Sequence, residues 1–362
     1  MRVLLAGGGT AGHTSPLIAT ADALRRRMPE TEICCLGTER GIETRVIPAA
    51  GYRLELIAPV PLPRRFSAEL LRVPLRLRDA VNSVRRVIEA FEPDVVVGFG
   101  GYVSAPAYLA ARRAKVPLVV HEGNALPGMA NRLGARFCTR HVATSFPNTS
   151  LPHARYVGFP IRRAISTLDR AEMRPLARAH FGLEQDRPTL LVTGGSQGAK
   201  RINDSVAACA ADFAAAGVQV LHVTGPKGSV GASLEGGSAA PYVVVAYVDR
   251  MELAYAAADA AVARCGASSV TEMASLGLPA VFVPLPIGNG EQALNARAVV
   301  EAGGAVMVSD ADFTPEWVRS QVPPMVRDPL RLQQMSRASR SLIRRDADDV
   351  LAAMVTVAAG GR

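Results

Sequence analysis

Apolar residues along this 362-residue chain fall into two alternating rhythms. Short segments rich in apolar residues occur at 3–7 (VLLAG), 32–37 (EICCLG), 53–57 (RLELI), 94–101 (DVVVGFGG), 117–124 (PLVVHEGN) and 141–145 (HVATS). Between them, near 16–27, 38–50, 104–114 and 127–135, apolar positions recur at helical spacing. A short apolar run reads as a strand buried on both faces, so the βαβα rhythm predicts a parallel sheet covered by helices on each side. The rhythm restarts after a segment at 158–170 (GFPIRRAISTLDR) that has no clear period and reads as a linker. Further strands are expected at 189–195, 218–225, 242–248, 260–264, 279–285 and 305–309, and 315–358 reads as helical.

The expected fold class is therefore α/β, with two Rossmann-like parallel-sheet domains facing a cleft. The expected division is 1–160 for an N-terminal domain and 161–339 for a C-terminal one. The C-terminal helix near 340–362 is expected to pack back on the first domain. The length suits two domains of about 150–200 residues, and 49% hydrophobic residues suffice for two cores. No run approaches the ~18–20 apolar residues of a membrane span, and the N-terminus lacks a signal peptide's apolar region, so a cytoplasmic location is expected.

Two of the apolar runs end in glycine clusters, GGGTAGH at 7–13 and GGSQGA at 194–199. Glycines there let the backbone turn sharply into a helix, whose N-terminal N–H groups and partial positive charge suit phosphate. Gly7, Gly9 and Gly12 satisfy G-x-G-x-x-G, the turn of a dinucleotide site, but the acidic residue expected after the second strand is only Glu39, about two residues late. An NAD(P)-dependent oxidoreductase is thus one reading. The net charge of +9 and pI near 9.7 favour an anionic partner without choosing among nucleotide, nucleic acid and membrane.

His13 follows the first glycine turn. It is either a helix N-terminal residue bonded to backbone or a general base able to deprotonate a hydroxyl near neutral pH. Ser196 and Gln197 are either turn formers or pyrophosphate ligands, and Arg162 either a solvated charge or a diphosphate clamp. Glu272 in 268–279 (SSVTEMASLGLP) forms a capping-box pattern with Ser269, yet could equally accept both hydroxyls of a ribose. The loop 284–296 (PLPIGNGEQALNA) carries amides and carboxyls suited to sugar hydroxyls.

Two DxD strings, Asp310-Ala311-Asp312 and Asp346-Ala347-Asp348, lie away from strand ends, and no essential metal is expected. The five cysteines show no ligand spacing and read as reduced, buried thiols. Segment 63–87 carries seven arginines against Glu69 and Asp79, interleaved with leucines and valines. It reads either as a patch that lies on an anionic membrane surface or as a surface helix whose apolar side joins the core. With aromatics at 5%, base stacking and hence nucleic acid fit poorly.

Taken together, GGGTAGH, GFGGYVSAP, HEGN, the G-x-P-x-R linker, GGSQGA, TEMASLGLPAVFVPLP and Q-x-x-N-A resemble, in order and through almost the whole chain, the MurG family of glycosyltransferases. That resemblance implies a GT-B fold. It also implies metal-independent, inverting transfer of N-acetylglucosamine (GlcNAc) from UDP-GlcNAc to undecaprenyl-linked lipid I on the cytoplasmic face of the cell membrane. The product, lipid II, feeds peptidoglycan synthesis and so cell-wall biogenesis, cell shape and division, with other cell-wall synthesis proteins as further partners. It assigns His13 as the catalytic residue. Gly9, Thr10, His13, Gly100, Gly101 and Tyr102 are implied on the acceptor side. The donor set is Thr10, Gly12, Asn124, Arg162, Ser196, Gln197, Val248, Glu272, Gln292 and Asn295, with Tyr247 beside the base. No cofactor is implied beyond the donor itself.

Four positions depart from the family pattern: Phe159 where asparagine is frequent, Gly123 in place of a bulkier residue, Glu291 where glutamine occurs, and Cys265 where serine is common. Phe159 and Glu291 keep open a related GT-B transferase with another lipid or natural-product acceptor.

Overall fold

The structure, a computed structural model, describes residues 1–39, 41–60, 73–226, 228, 230 and 240–360. Residues 63–72 of the basic segment lie outside that set. The chain divides into two units, Met1–Arg162 with Arg344–Arg362, and Arg163–Ile343.

The first unit runs β1 (Arg2–Ala6), α1 (Ala11–Arg27), β2 (Glu32–Gly37), α2 (Glu43–Ala49), β3 (Arg53–Leu56), α3 (Val73–Phe91), β4 (Val95–Gly98), α4 (Ser104–Ala114), β5 (Leu118–Glu122), α5 (Met129–Phe137), β6 (His141–Thr144) and β7 (Ala154–Tyr156). The second comprises α6 (Arg163–Ser166), α7 (Arg170–His180), β8 (Thr189–Thr193), α8 (Lys200–Ala207), α9 (Ala210–Ala215), β9 (Gln219–Val223), β10 (Tyr242–Val245), α10 (Met251–Ala257), β11 (Ala260–Ala263), α11 (Ala267–Ser275), β12 (Ala280–Phe282), α12 (Glu291–Glu301), β13 (Ala305–Met307), α13 (Pro315–Val326) and α14 (Pro329–Arg340). Helix α15 (Ala347–Gly360) belongs to the first unit.

Each unit is built on one wholly parallel sheet. The strand orders are β3-β2-β1-β4-β5-β6-β7 and β10-β9-β8-β11-β12-β13. Parallel neighbours need long crossovers, which the helices supply. In each sheet the order reverses beside the first strand, between β1 and β4 and between β8 and β11. Such a switch point opens a crevice at the carboxyl ends of the strands, where the glycine clusters lie.

Val3, Leu4, Leu5 and Ala6 of β1 are fully buried. Leu351, Ala352 and Val355 of α15 share a core cluster with Leu17 and Leu24 of α1. The Arg26–Asp348 ion pair at 2.6 Å ties the same two helices across 322 residues of sequence.

The structure departs from the periodicity in three places. Helix α1 starts at Ala11, not at 16, so Pro16 lies inside it. The N–H groups of His13 and Thr14 both reach the Thr10 carbonyl at 3.1 Å and wind a turn whose residues carry no apolar repeat. Strand β10 ends at Val245, so Val248 lies in the turn before α10 rather than on a strand. Strand β7 is an exposed sheet edge with no apolar signal to announce it.

Candidate active site

In the first unit, the loops after β1 and β4 meet at His13, which sits in the first turn of α1, and the loop after β5 passes beside Gly12. Thr10 is the helix N-cap, extended at φ −139°, and its side chain does not cap the helix. The hydroxyl lies instead 3.3 Å from His13 Nδ1, while the Gly8 carbonyl lies 3.1 Å from the same nitrogen. A carbonyl oxygen only accepts, so Nδ1 carries the ring proton and Nε2 is left with the lone pair.

The Gly100–Gly101 turn passes against the other side of this ring. Both residues hold positive φ (+93° and +84°), and a Cβ on Gly101 would stand 2.6 Å from the Gly8 carbonyl oxygen. Ser104 fixes the turn by donating to the Gly100 carbonyl at 2.7 Å. Burial pushes the His13 imidazole below its ordinary value of 6.5, although the Gly8 carbonyl and the Glu43 charge pull it upward. The ring is therefore neutral at pH 7, as a base requires.

Gly9, Thr10, Gly12, His13, Gly100, Gly101 and the exposed Tyr102 thus come together at the ends of β1 and β4. Asn124 follows β5 in the same unit, and the neighbouring Gly123 lies beside the Gly12 carbonyl. Thr10, Gly12 and Asn124, expected among the donor contacts, therefore lie in the same unit as the acceptor-side set. Glu122, absent from the sequence-based set, holds the HEGN loop. Its carboxylate accepts from the Asn124 and Gly128 amides and from Asn131 Nδ2, all at 2.8–2.9 Å, and burial raises its pKa against those bonds.

The two departures Phe159 and Gly123 meet in space. A Cβ on Gly123 would lie 3.4 Å from the Phe159 ring, which is itself buried and edge-on to His121. The large residue and the small one share one volume, so Phe159 is core packing in this chain. Arg162 ends the unit, and its Nε is enclosed with no hydrogen-bond partner.

In the second unit, GGSQGA turns from β8 into α8. Gly195 and Gly198 hold positive φ, and a side chain on Gly198 would overlap the Thr224 carbonyl after β9. Ser196 is half-buried and Gln197 exposed on this turn. A buried chain backs it: Asn203 Nδ2 donates to the Thr224 carbonyl at 2.9 Å, Asn203 Oδ1 meets His222 Nε2 at 3.1 Å, and His222 Nδ1 meets the Tyr242 hydroxyl at 2.7 Å. Burial pushes His222 down to about 4. These residues carried no periodic or motif signal.

Glu272 lies within α11, whose N-cap is Gly266, so the capping-box reading of Ser269 and Glu272 is incorrect. The helix begins too early for Ser269 to stand at its N-cap. Glu272 is 6% exposed, and its Oε2 accepts from the Tyr255 hydroxyl at 2.8 Å. Asn295 is turned inward, donating to the Cys265 carbonyl at 3.2 Å, whereas Gln292 accepts from the Leu285 amide at 3.0 Å and shapes the 284–290 loop. Glu291 caps that loop through the Asn289 amide at 3.4 Å. Val248 is buried at 8% exposure and Tyr247 is half-buried.

Arginines hold Asp310, Asp346 and Asp348 of the two DxD strings, while Asp312 accepts from the Ser309 hydroxyl at 2.6 Å. Asp310 pairs with Arg264 at 2.6 Å, which also donates to the Val283 and Pro284 carbonyls; Asp346 pairs with Arg344 and Asp348 with Arg26. Among the described residues, no three His, Cys, Asp or Glu side chains cluster as metal ligands.

Residues 3–143 match the glycosyltransferase family 28 N-terminal domain, and 189–351 match the glycosyltransferase family 28 C-terminal domain. A UDP-N-acetylglucosamine–N-acetylmuramyl-(pentapeptide) pyrophosphoryl-undecaprenol N-acetylglucosamine transferase of a Nocardioides species is 63% identical over 98% of this chain and 97% of its own length. The enzyme of the same name from Streptomyces coelicolor is 54% identical over 100% and 99%. Among solved structures, MurG of Acinetobacter baumannii superposes with a TM-score of 0.77 at 28% identity, covering 98% of this chain and 99% of that one. The calicheamicin glycosyltransferase CalG4 shares the fold with a TM-score of 0.67 at 20% identity, covering 99% and 98%.

Proposed function

The chain belongs to glycosyltransferase family 28, and from that premise we propose that it transfers GlcNAc from UDP-GlcNAc to lipid I, forming lipid II for peptidoglycan. The observation that carries this reading is the match of both halves, at high identity, to relatives named for that reaction. It also disfavours the nicotinamide reading of the first glycine turn.

In the mechanism we assign, the acceptor hydroxyl attacks the anomeric carbon of GlcNAc as the bond to the UDP diphosphate breaks. A single displacement inverts that carbon. The hydroxyl proton passes to His13 Nε2, and the bonding electrons leave with UDP. Charge grows on the departing diphosphate, where donors are worth most if already in place. Ser196, the α8 N-terminus and the Arg162 guanidinium are assigned that task. Glu272 is assigned the ribose hydroxyls, Val248 and Tyr247 the uracil, and Gln292 with the 284–290 loop the sugar. Asn295 braces the turn from β11 into α11 through the Cys265 carbonyl. No step in this scheme calls on a metal.

Incubation with radiolabelled UDP-GlcNAc and lipid I should move label into a lipid-extractable product, and UDP should raise the melting temperature where NADH does not. Absence of transfer together with stabilisation by NADH alone would overturn the reading.

Among the described residues, no helix is long and apolar enough to cross a membrane. We place the enzyme peripherally on the cytoplasmic face of the cell membrane, where its lipid acceptor resides. Helix α3 supports this with two distinct faces. Val81, Val84 and Ile88 join the core, while Arg76, Arg78, Arg85 and Arg86 face outward and Leu75 is 62% exposed. Each basic residue near an anionic surface is worth about 1 kcal/mol. Changing Arg76, Arg78 and Arg86 together to glutamine should weaken binding to anionic liposomes roughly 100-fold at low salt, with a flatter salt dependence. Unchanged liposome binding would return α3 to a purely structural role.

A further inference from the structure

The connection between β2 and α2 holds a buried carboxylate that the mechanism above leaves unused. Glu43, the first residue of α2, is 0% exposed. Its Oε1 accepts from the Thr38 amide and hydroxyl, both at 2.9 Å, and its Oε2 accepts from the Gly9 amide at 2.8 Å. Three glycines make room for it: a Cβ on Gly8 or Gly41 would overlap the carboxylate, and one on Gly37 would stand 2.6 Å from Glu43 Cγ. Burying a charge is costly unless it is densely hydrogen-bonded, so this pocket is built to keep one.

Gly9 N and the Gly8 carbonyl belong to the same peptide unit. Glu43 holds the N–H end of that unit, and His13 Nδ1 reads its C=O end at 3.1 Å. We infer that Glu43 is a positioning residue for the base, acting on His13 through the Gly8–Gly9 peptide.

A carboxylate accepting the N–H polarises the peptide and makes its carbonyl a stronger acceptor. That holds the proton on Nδ1, presents Nε2 to the acceptor hydroxyl, and stabilises the imidazolium once Nε2 has taken the proton. It is the task of the carboxylate in a Ser-His-Asp triad, carried out one peptide further away. Among the described residues, the titratable groups that act on His13 are Glu43, which pulls its pKa up, and His121 of β5. Burial pushes His121 down to about 4, so it brings no charge at neutral pH. The Gly100–Gly101 turn that closes over the ring is uncharged.

The inference rests on His13 being the base, and its test separates the two ideas. Imidazole NMR on the full chain with ¹⁵N-labelled histidine should find wild-type His13 protonated at Nδ1 and bare at Nε2 near neutral pH. Glu43→Gln removes a negative charge, so the His13 midpoint should move to lower pH and kcat should fall about tenfold, equivalent to about 1.4 kcal/mol of lost transition-state stabilisation. The KM for UDP-GlcNAc should stay as it is. Thr38→Val, which removes one donor but spares the Gly9 contact, should leave the midpoint in place. In a His13→Ala background, Glu43→Gln should cost no further activity.

A wild-type Nε2–H tautomer overturns the relay even where Glu43→Gln does not fold. So does a folded Glu43→Gln with an unmoved midpoint. Full activity in His13→Ala would instead remove the base assignment, leaving the tautomer measurement to judge the relay by itself.

Discussion

Replacing His13 with alanine should lower kcat by about 10²- to 10⁴-fold, the range general-base catalysis contributes, while UDP binds as before. The Gly8 carbonyl commits Nδ1 to donating, so the ring can take a proton only at Nε2. Alanine leaves the acceptor hydroxyl with water as its base and leaves the turn after β8, in the other unit, untouched. Single-turnover transfer with calorimetric UDP binding checks both halves of the expectation. Equal losses of turnover and UDP affinity would move His13 to the donor side.

The pH profile carries the same assignment. Burial lowers the His13 pKa below 6.5, so the unprotonated base persists to lower pH than a solvated imidazole would allow. Activity should hold at pH 6.5 and fall only as pH drops through the lowered pKa. An acid limb centred above 6.5 contradicts that environment.

The second large effect is expected at Glu272. Hydrogen bonds to a charged group contribute about 1.5–3 kcal/mol each. Losing two ribose hydroxyl contacts in Glu272→Ala should therefore weaken UDP by about 3 kcal/mol, roughly 100-fold. Glu272→Gln keeps an acceptor for the Tyr255 hydroxyl and should fold as the wild type does. A ribose role also predicts that wild type prefers UDP to 2′-deoxy-UDP and that Glu272→Ala does not. A lowered melting temperature with unchanged UDP affinity and unchanged discrimination would make Glu272 a packing residue.

Which residues were legible follows from the range of the interactions that place them. β1, β4, β5 and β8 are buried on both faces, so each is centred on three or more consecutive apolar residues. Gly100, Gly101 and Gly198 stand where a side chain would strain or collide, so the glycine clusters marked their turns. Glu43 reads locally as an ordinary acidic residue in a helix's first turn, and only the approach of Gly9, 34 positions earlier, gives it a partner near His13. Asn203, His222 and Tyr242 have no sequence signature, because a buried polar chain has no period. Asp310 stands in a DxD string whose place away from strand ends already argued against a metal, but its partner Arg264, 46 positions earlier, has no local signal.

By itself, the sequence determined the parallel α/β class, the two glycine turns and the family, because each is written in short-range periodicity or contiguous motifs. Tertiary structure decided where buried polar groups find their partners. It joined Glu43 to the Gly8–Gly9 peptide, set Phe159 against Gly123 and turned Asn295 inward. The physical reason is that a buried donor or acceptor must be satisfied by whatever the fold carries to it. That partner is chosen by strand order and loop path, not by its distance along the chain.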